Sequence, residues 1–200
     1  MVRDADAPSS PEALALYEID GVPRAVRCQD AALKRAPVEV LACTPVSPGK
    51  AILMFAGDVA SVQESMAAVD DLLDSRRVDR LFLPGVHPGV LEALRGERVP
   101  REAEALGIFE LSTVAAALEA ADAALKNARV QIGRLHAATG FGGKGYFTVV
   151  GLQVEVEAAI ESASELAAER LLDVEIIPAP HDELELGAFK RPWPIDPAAP

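Results

Sequence analysis

Asp30-Ala31-Ala32-Leu33-Lys34 recurs residue for residue as Asp122-Ala123-Ala124-Leu125-Lys126, and this repetition decides how the chain is read. At the same offset of 92 residues, Tyr17-Glu18-Ile19 falls on Phe109-Glu110-Leu111. A two-residue insertion then moves the offset to 94. Beyond it Gly49-Lys50 matches Gly143-Lys144, Gly57 matches Gly151, Val62 matches Val156, Pro84 matches Pro178 and His87 matches His181. Each copy spans most of a half-chain, so the sequence is a tandem duplication of one domain and not a solenoid of short units.

The two copies define one order of elements. Leu14 to Ile19 and Leu106 to Leu111 are short apolar segments of strand length. Alanine-dense helices follow over Val22 to Ala36 and Thr113 to Ala128, with Val114, Ala117, Leu118, Ala121 and Leu125 at helical spacing. Pro23 stands near the start of the first helix, where a missing N–H does no harm. Second strands are predicted over Val38 to Cys43 and Val130 to Leu135. Third strands follow a Gly-containing break, over Ala51 to Phe55 and Tyr146 to Val150. A second amphipathic helix runs from about Val59 to Leu73, with Val62, Met66, Val69 and Leu73 on one face. Its partner runs from about Val154 to Ala168. Arg80 to Leu83 and Val174 to Ile177 are last strands, each ending at a proline. The order β-α-β-β-α-β, twice, predicts an α+β fold of two tandem ferredoxin-like split βαβ domains, each an antiparallel sheet with helices on one face. The domains are placed at 13–92 and 105–188, a linker at 93–104, and Pro- and Ala-rich tails at 1–12 and 189–200.

Composition limits the function classes. Half of the 200 residues are apolar, enough for a packed core. A net charge of -12 opposes a sequence-independent grip on nucleic acid, which needs Lys and Arg to displace counterions. The apolar runs are strand-sized and too short to cross a bilayer, and 1–13 carry no apolar signal segment, so a cytoplasmic protein without membrane contact is expected. Two cysteines, Cys28 and Cys43, build no disulfide framework.

No catalytic constellation stands out. His87, His136 and His181 have no metal-ligand spacing, no GxSxG elbow is present, and the carboxylates scatter along helix faces. No catalytic residue, metal site or cofactor is expected. Gly140, Gly142 and Gly145 match GxGxxG, but a strand and not a helix leads out of them, so no array of helix N–H groups faces the loop. A turn that needs positive φ angles is the better reading.

The DAALK segments, the Gly-Lys break before the third strand, Gly57 and Gly151 before the second helix, and the endings Leu83-Pro84-Gly85-Val86-His87 and Ile177-Pro178-Ala179-Pro180-His181 together resemble the bacterial microcompartment (BMC) shell domain, over 14 to about 91 and 106 to about 185. The unpermuted order is similar to that of the tandem, trimer-forming class, BMC-T. The resemblance implies a structural shell protein with no chemistry of its own. It implies a homotrimer acting as a pseudohexameric tile, hexameric and pentameric shell proteins at its edges, and small metabolites passing a central pore. By position the pore loops are Ser47, Pro48 and Gly49 in the first copy and Thr139, Gly140, Phe141, Gly142 and Gly143 in the second. Lys50 and Lys144 beside them would bring positive charge, which favours small polar or anionic metabolites. Phe141 is a candidate both for a constriction and for packing on its own domain. Lys34 and Lys126 match the family's edge lysine, with Asp30 and Asp122 four residues before them. His87 and His181 complete the expected edge contacts. Single-domain members often carry Arg in the PxPH ending, where Gly85 and Ala179 stand here. Some tandem members hold an iron–sulfur cluster through a pore-loop cysteine. Cys43 is expected on the strand and Cys28 on a helix, so no cluster is expected.

Duplicated split βαβ domains also serve as small-molecule-binding regulatory modules. That reading predicts a dimer or tetramer and a saturable effector.

Overall fold

The computed structural model describes residues 11–73, 75–96, 103–137, 140–181 and 184. They form two compact units: one reaches Val86, without Val46–Pro48, and the other includes Val46–Pro48 and begins again at His87.

In the first unit the order is β1 (Ala13–Asp20), α1 (Val22–Arg35), β2 (Glu39–Val46), β3 (Lys50–Gly57), α2 (Val59–Asp70) and β4 (Arg77–Pro84). The sheet order is β2-β3-β1-β4, with β1 antiparallel to both β3 and β4. In the second unit the elements are α3 (Pro88–Leu94), β5 (Ala105–Leu111), α4 (Val114–Asn127), β6 (Gln131–Ala137), β7 (Gly145–Gly151), α5 (Gln153–Ala167) and β8 (Leu171–Pro178), with a 3₁₀ turn at Ala168–Arg170. Its sheet, β6-β7-β5-β8, repeats the first strand for strand. Every strand and both long helices of each copy match the expected α+β order, twice.

Period-two alternation builds the core of the first unit. Ala13, Ala15, Tyr17 and Ile19 of β1 and Ala51, Leu53 and Phe55 of β3 lie on one face. They pack with Ala25, Cys28 and Ala32 of α1 and Val62, Met66 and Val69 of α2. Tyr17 joins this core because its hydroxyl donates to the Met66 carbonyl at 3.2 Å and accepts from Arg80 Nε at 3.5 Å. Burial pushes its pKa well above the ordinary tyrosine value. In the second unit Phe109 and Phe147 are direct cross-strand partners, stacked at 4.3 Å. The start of α2 is set by Asp58, whose carboxylate accepts the Ser61 N–H at 2.9 Å, and that of α4 by Thr113, which accepts from Ala116 N at 3.1 Å.

One element departs from expectation. The segment Pro88–Leu94, expected to be shared between the first domain and a linker, is a helix that belongs to the second unit. His87 caps it, its Nδ1 accepting from Gly89 N at 3.1 Å, Pro88 occupies its first turn, and Val90 and Leu91 are buried. Of the expected tails and linker, residues 1–10, 97–102 and 189–200 lie outside the described residues.

The turn after the last strand is also duplicated. Gly85 has φ 66° and its counterpart Ala179 has φ 45°. The first copy thus has the residue this conformation favours, whereas the second holds a Cβ in the left-handed region at a cost of about 1 kcal/mol. Ala179→Gly is expected to stabilise the protein by roughly 0.5–1 kcal/mol, and a thermal melt that moves up by a few degrees checks it.

Candidate pore loops and edge pairs

The expected pore loops are both strand-to-strand turns. Ser47, Pro48 and Gly49 join β2 to β3, all exposed, with Gly49 at φ 99°. Between β6 and β7, Gly140, Gly142 and Gly143 have φ of 70°, 61° and 83°, and the turn closes with Lys144 N donating to the Phe141 carbonyl at 3.1 Å. Thr139 lies outside the described residues. The GxGxxG spacing therefore serves a glycine-dependent turn that leads into β7.

Phe141 packs on its own domain. Its ring meets His136 edge-on at 6.0 Å and Tyr146 at 5.6 Å, while Lys144 Nζ stands 5.7 Å over its centre. His136 in turn stacks on Tyr146 at 4.8 Å. The lysines beside the loops are not free charges either. Lys50 Nζ lies 3.3 Å from Glu18, and Lys144 Nζ lies 2.5 Å from Glu110. The register explains both pairs. Glu18 is opposite Ile52 and Glu110 opposite Tyr146, so Lys50 at the start of β3 and Lys144 just before β7, each two residues earlier, come to the side of the sheet where its carboxylate lies. The charge expected to draw anions is neutralised locally, which removes the ground for a preference for anions. Sequence reasoning missed these two glutamates, although each occupies the same place in the duplicated Tyr/Phe-Glu-Ile/Leu triplet.

The two DAALK segments fold into the same helical turn but meet different surroundings. On α1, Lys34 Nζ reaches Asp30 Oδ2 at 2.6 Å, and both side chains are exposed. On α4, Lys126 Nζ reaches Asp122 Oδ2 at 2.5 Å, but Asp122 is buried. Its Oδ1 accepts the His87 main-chain N–H at 2.7 Å, at the cap of α3. The structure thus brings His87, Asp122 and Lys126 together. Around His181 it gives the same local turn, with Leu184 N donating to the His181 carbonyl at 2.8 Å just as Val90 N donates to that of His87 at 2.9 Å.

The BMC domain family matches residues 13–85 and 105–180. Bacterial microcompartment shell protein PduT of Citrobacter freundii is 38% identical over 175 residues, covering 86% of this chain and 95% of that protein. This chain belongs to the BMC shell proteins, with two BMC domains in tandem. A microcompartment protein from Desulfitobacterium hafniense DCB shares the architecture at TM-score 0.81 and 37% identity, over 88% of this chain and 98% of that one. A fused, permuted hexameric shell protein of the RMM microcompartment is alike in fold, at TM-score 0.59 and 21% identity over 78% of this chain and 84% of that one. BMC shell proteins are structural tiles, and membership in that family favours a shell tile over the regulatory module. No helix of the described residues is long and apolar enough to cross a membrane.

Within this BMC protein, Cys28 is buried in the first core and Cys43 lies on β2, away from the turn. Burial raises both thiol pKa values.

The two acid–lysine pairs differ in what they contribute to the fold. Removing Asp122 leaves the His87 N–H and the Lys126 ammonium without their acceptor, so Asp122→Ala is expected to cost about 1–3 kcal/mol. Lys34→Ala breaks only an exposed i,i+4 pair, expected at under about 0.5 kcal/mol. Urea unfolding of both variants measures the difference, and equal midpoints would refute it.

Proposed function

We propose that three copies of this chain close into a ring that forms a six-edged tile of a microcompartment shell. The observation that carries the reading is the duplication. Two units with one sheet order and one helix order in each chain give six similar units in a cyclic trimer. Six similar edges tile a plane. Lys34 and Lys126, each steered by a carboxylate four residues earlier, sit at those edges against neighbouring tiles, including hexameric and pentameric shell proteins. Asp30, Asp122, His87 and His181 lie beside them.

The central opening is rimmed alternately by Ser47-Pro48-Gly49 and by 139–143, Thr139 and Phe141 among them. It passes small polar metabolites between the cytoplasm and the lumen. With Lys50 and Lys144 held by Glu18 and Glu110, the rim is close to neutral, so size and polarity and not charge select what passes. Phe141 fixes the shape of its turn through His136 and Tyr146, and backbone groups line the gap.

Native mass spectrometry of the full-length protein tests the ring: a dominant trimer, or a dimer of trimers, is expected, whereas a dimer, tetramer or stable monomer refutes it. The rim has its own test. Ser47→Glu places three carboxylates around the opening, so conductance across planar bilayers should shift toward cations. An unchanged anion-to-cation ratio would remove Ser47 from the rim.

A further inference from the structure

The two repeats carry different charges at the end of the sheet where the first strand runs into the first helix. In the second unit Arg170, in the turn before β8, donates to the Glu119 carboxylate on α4. The offsets that align the repeats put Arg76 at the place of Arg170 and Arg27 at the place of Glu119. The backbone is tied alike in both. Asp20 N donates to the Arg76 carbonyl at 2.8 Å, as Ser112 N does to that of Arg170 at 2.9 Å. Positions that join opposite charges in the second repeat therefore carry two guanidiniums in the first.

A third arginine joins them. Arg24, where the second repeat has the buried Ala116, lies one helical turn before Arg27. Its Nη1 donates to the Leu72 carbonyl at 3.2 Å, a bond that orients the guanidinium without neutralising it. Arg76 Nη1 donates to the Asp20 carbonyl at 3.4 Å and stands 3.5 Å from where a Cβ on Gly21 would lie, so its head group sits at the entry to α1. Arg27 is exposed, and among the described residues no carboxylate pairs with it. Asp70, at the end of α2, is taken by Arg77 and Arg80. Even with Asp20 in place of Ser112, these positions are two charges more positive in the first repeat than in the second, in a chain of net charge -12. Like charges gathered at one place repel, and a bound anion offsets that repulsion.

We infer that Arg24, Arg27 and Arg76 form a binding site for the phosphate group of a small molecule, one per chain, with no equivalent in the second repeat. Guanidiniums present planar forks of N–H donors that match phosphate oxygens, and a phosphate has enough oxygens and charge to engage all three. A carboxylate, with two oxygens and a single charge, fills less of the site. The site lies at the end of β1, whose last residue, Asp20, is paired with Lys50, the residue that follows the Ser47-Pro48-Gly49 turn. None of the three arginines belongs to the turns proposed as the rim, so an anion is held beside Lys50 while the rim itself stays close to neutral. The site is complete within the first unit and does not depend on the ring.

Isothermal titration calorimetry of the full-length protein with inorganic phosphate, in a phosphate-free buffer, tests the site. One saturable phosphate per chain is expected, with methyl phosphate binding comparably and acetate about 10-fold more weakly. Arg24→Ala and Arg27→Glu install the residues that the second repeat carries at the same places. Arg24→Ala should weaken phosphate binding about 10-fold. Arg27→Glu should abolish it, because the new carboxylate engages Arg76 as Glu119 engages Arg170. Arg35→Ala removes a cation from the other end of α1 and should leave the affinity unchanged. Wild-type protein that takes up no phosphate saturably overturns the inference, as do exclusion of methyl phosphate, acetate that binds as tightly, or equal losses in Arg35→Ala and Arg24→Ala. Circular dichroism checks the fold of each variant, and Arg27→Glu, which restores an ion pair, is expected to melt no lower than the wild type. Failure of the site leaves the ring intact, and an oligomer other than a trimer leaves the site standing.

Discussion

The first sheet depends on one constraint, the complete burial of its central strand. From Ala13 to Ile19 every residue of β1 is out of solvent, including Glu18. Such a strand needs apolar residues on both faces, and a carboxylate within it must be met by a cation. That cation is Lys50, the first residue of β3. The pair therefore does more than neutralise a charge, because it pins the residue immediately after the Ser47-Pro48-Gly49 turn to the middle of the sheet. Glu110 and Lys144 repeat the device with a half-exposed lysine, and there the lysine also covers the Phe141 ring. Both turns are anchored at their C-terminal ends to the central strands β1 and β5. A turn anchored this way has the position of its last residue set by the sheet.

Much of this was legible from the sequence because it was written twice. Neither Leu14–Ile19 nor Leu106–Leu111 alone distinguishes a strand from a short buried helix, but two aligned copies with the same neighbours do. The glycine turn was also readable, since a strand and not a helix follows Gly145. Helix α3 was not. Seven residues beginning Pro88-Gly89 show no full amphipathic period, and what stabilises them is burial of Val90 and Leu91 on elements far along the chain. The ion pairs of Lys50 and Lys144 were hidden for a different reason: they depend on strand register, which places Lys50 diagonal to Glu18, and register is not evident until the strands are paired.

The DAALK repeats mark the limit of such reading most sharply. Five identical residues form the same helical turn and the same i,i+4 pair, yet Asp122 is 5% exposed while Asp30 lies open to solvent. Nothing local distinguishes them. The difference comes from a cap 35 residues before Asp122, whose N–H finds one carboxylate and not the other.

That inequality bears on how firmly each lysine is held. A lysine on an exposed helix loses side-chain entropy when it is held in one geometry, and an exposed ion pair offsets little of that loss. When the paired carboxylate is itself fixed by a main-chain N–H and removed from water, as Asp122 is, the attraction strengthens and the acceptor no longer moves. Lys126 is therefore held by a buried carboxylate that also accepts a main-chain N–H, whereas Lys34 is held by an exposed one.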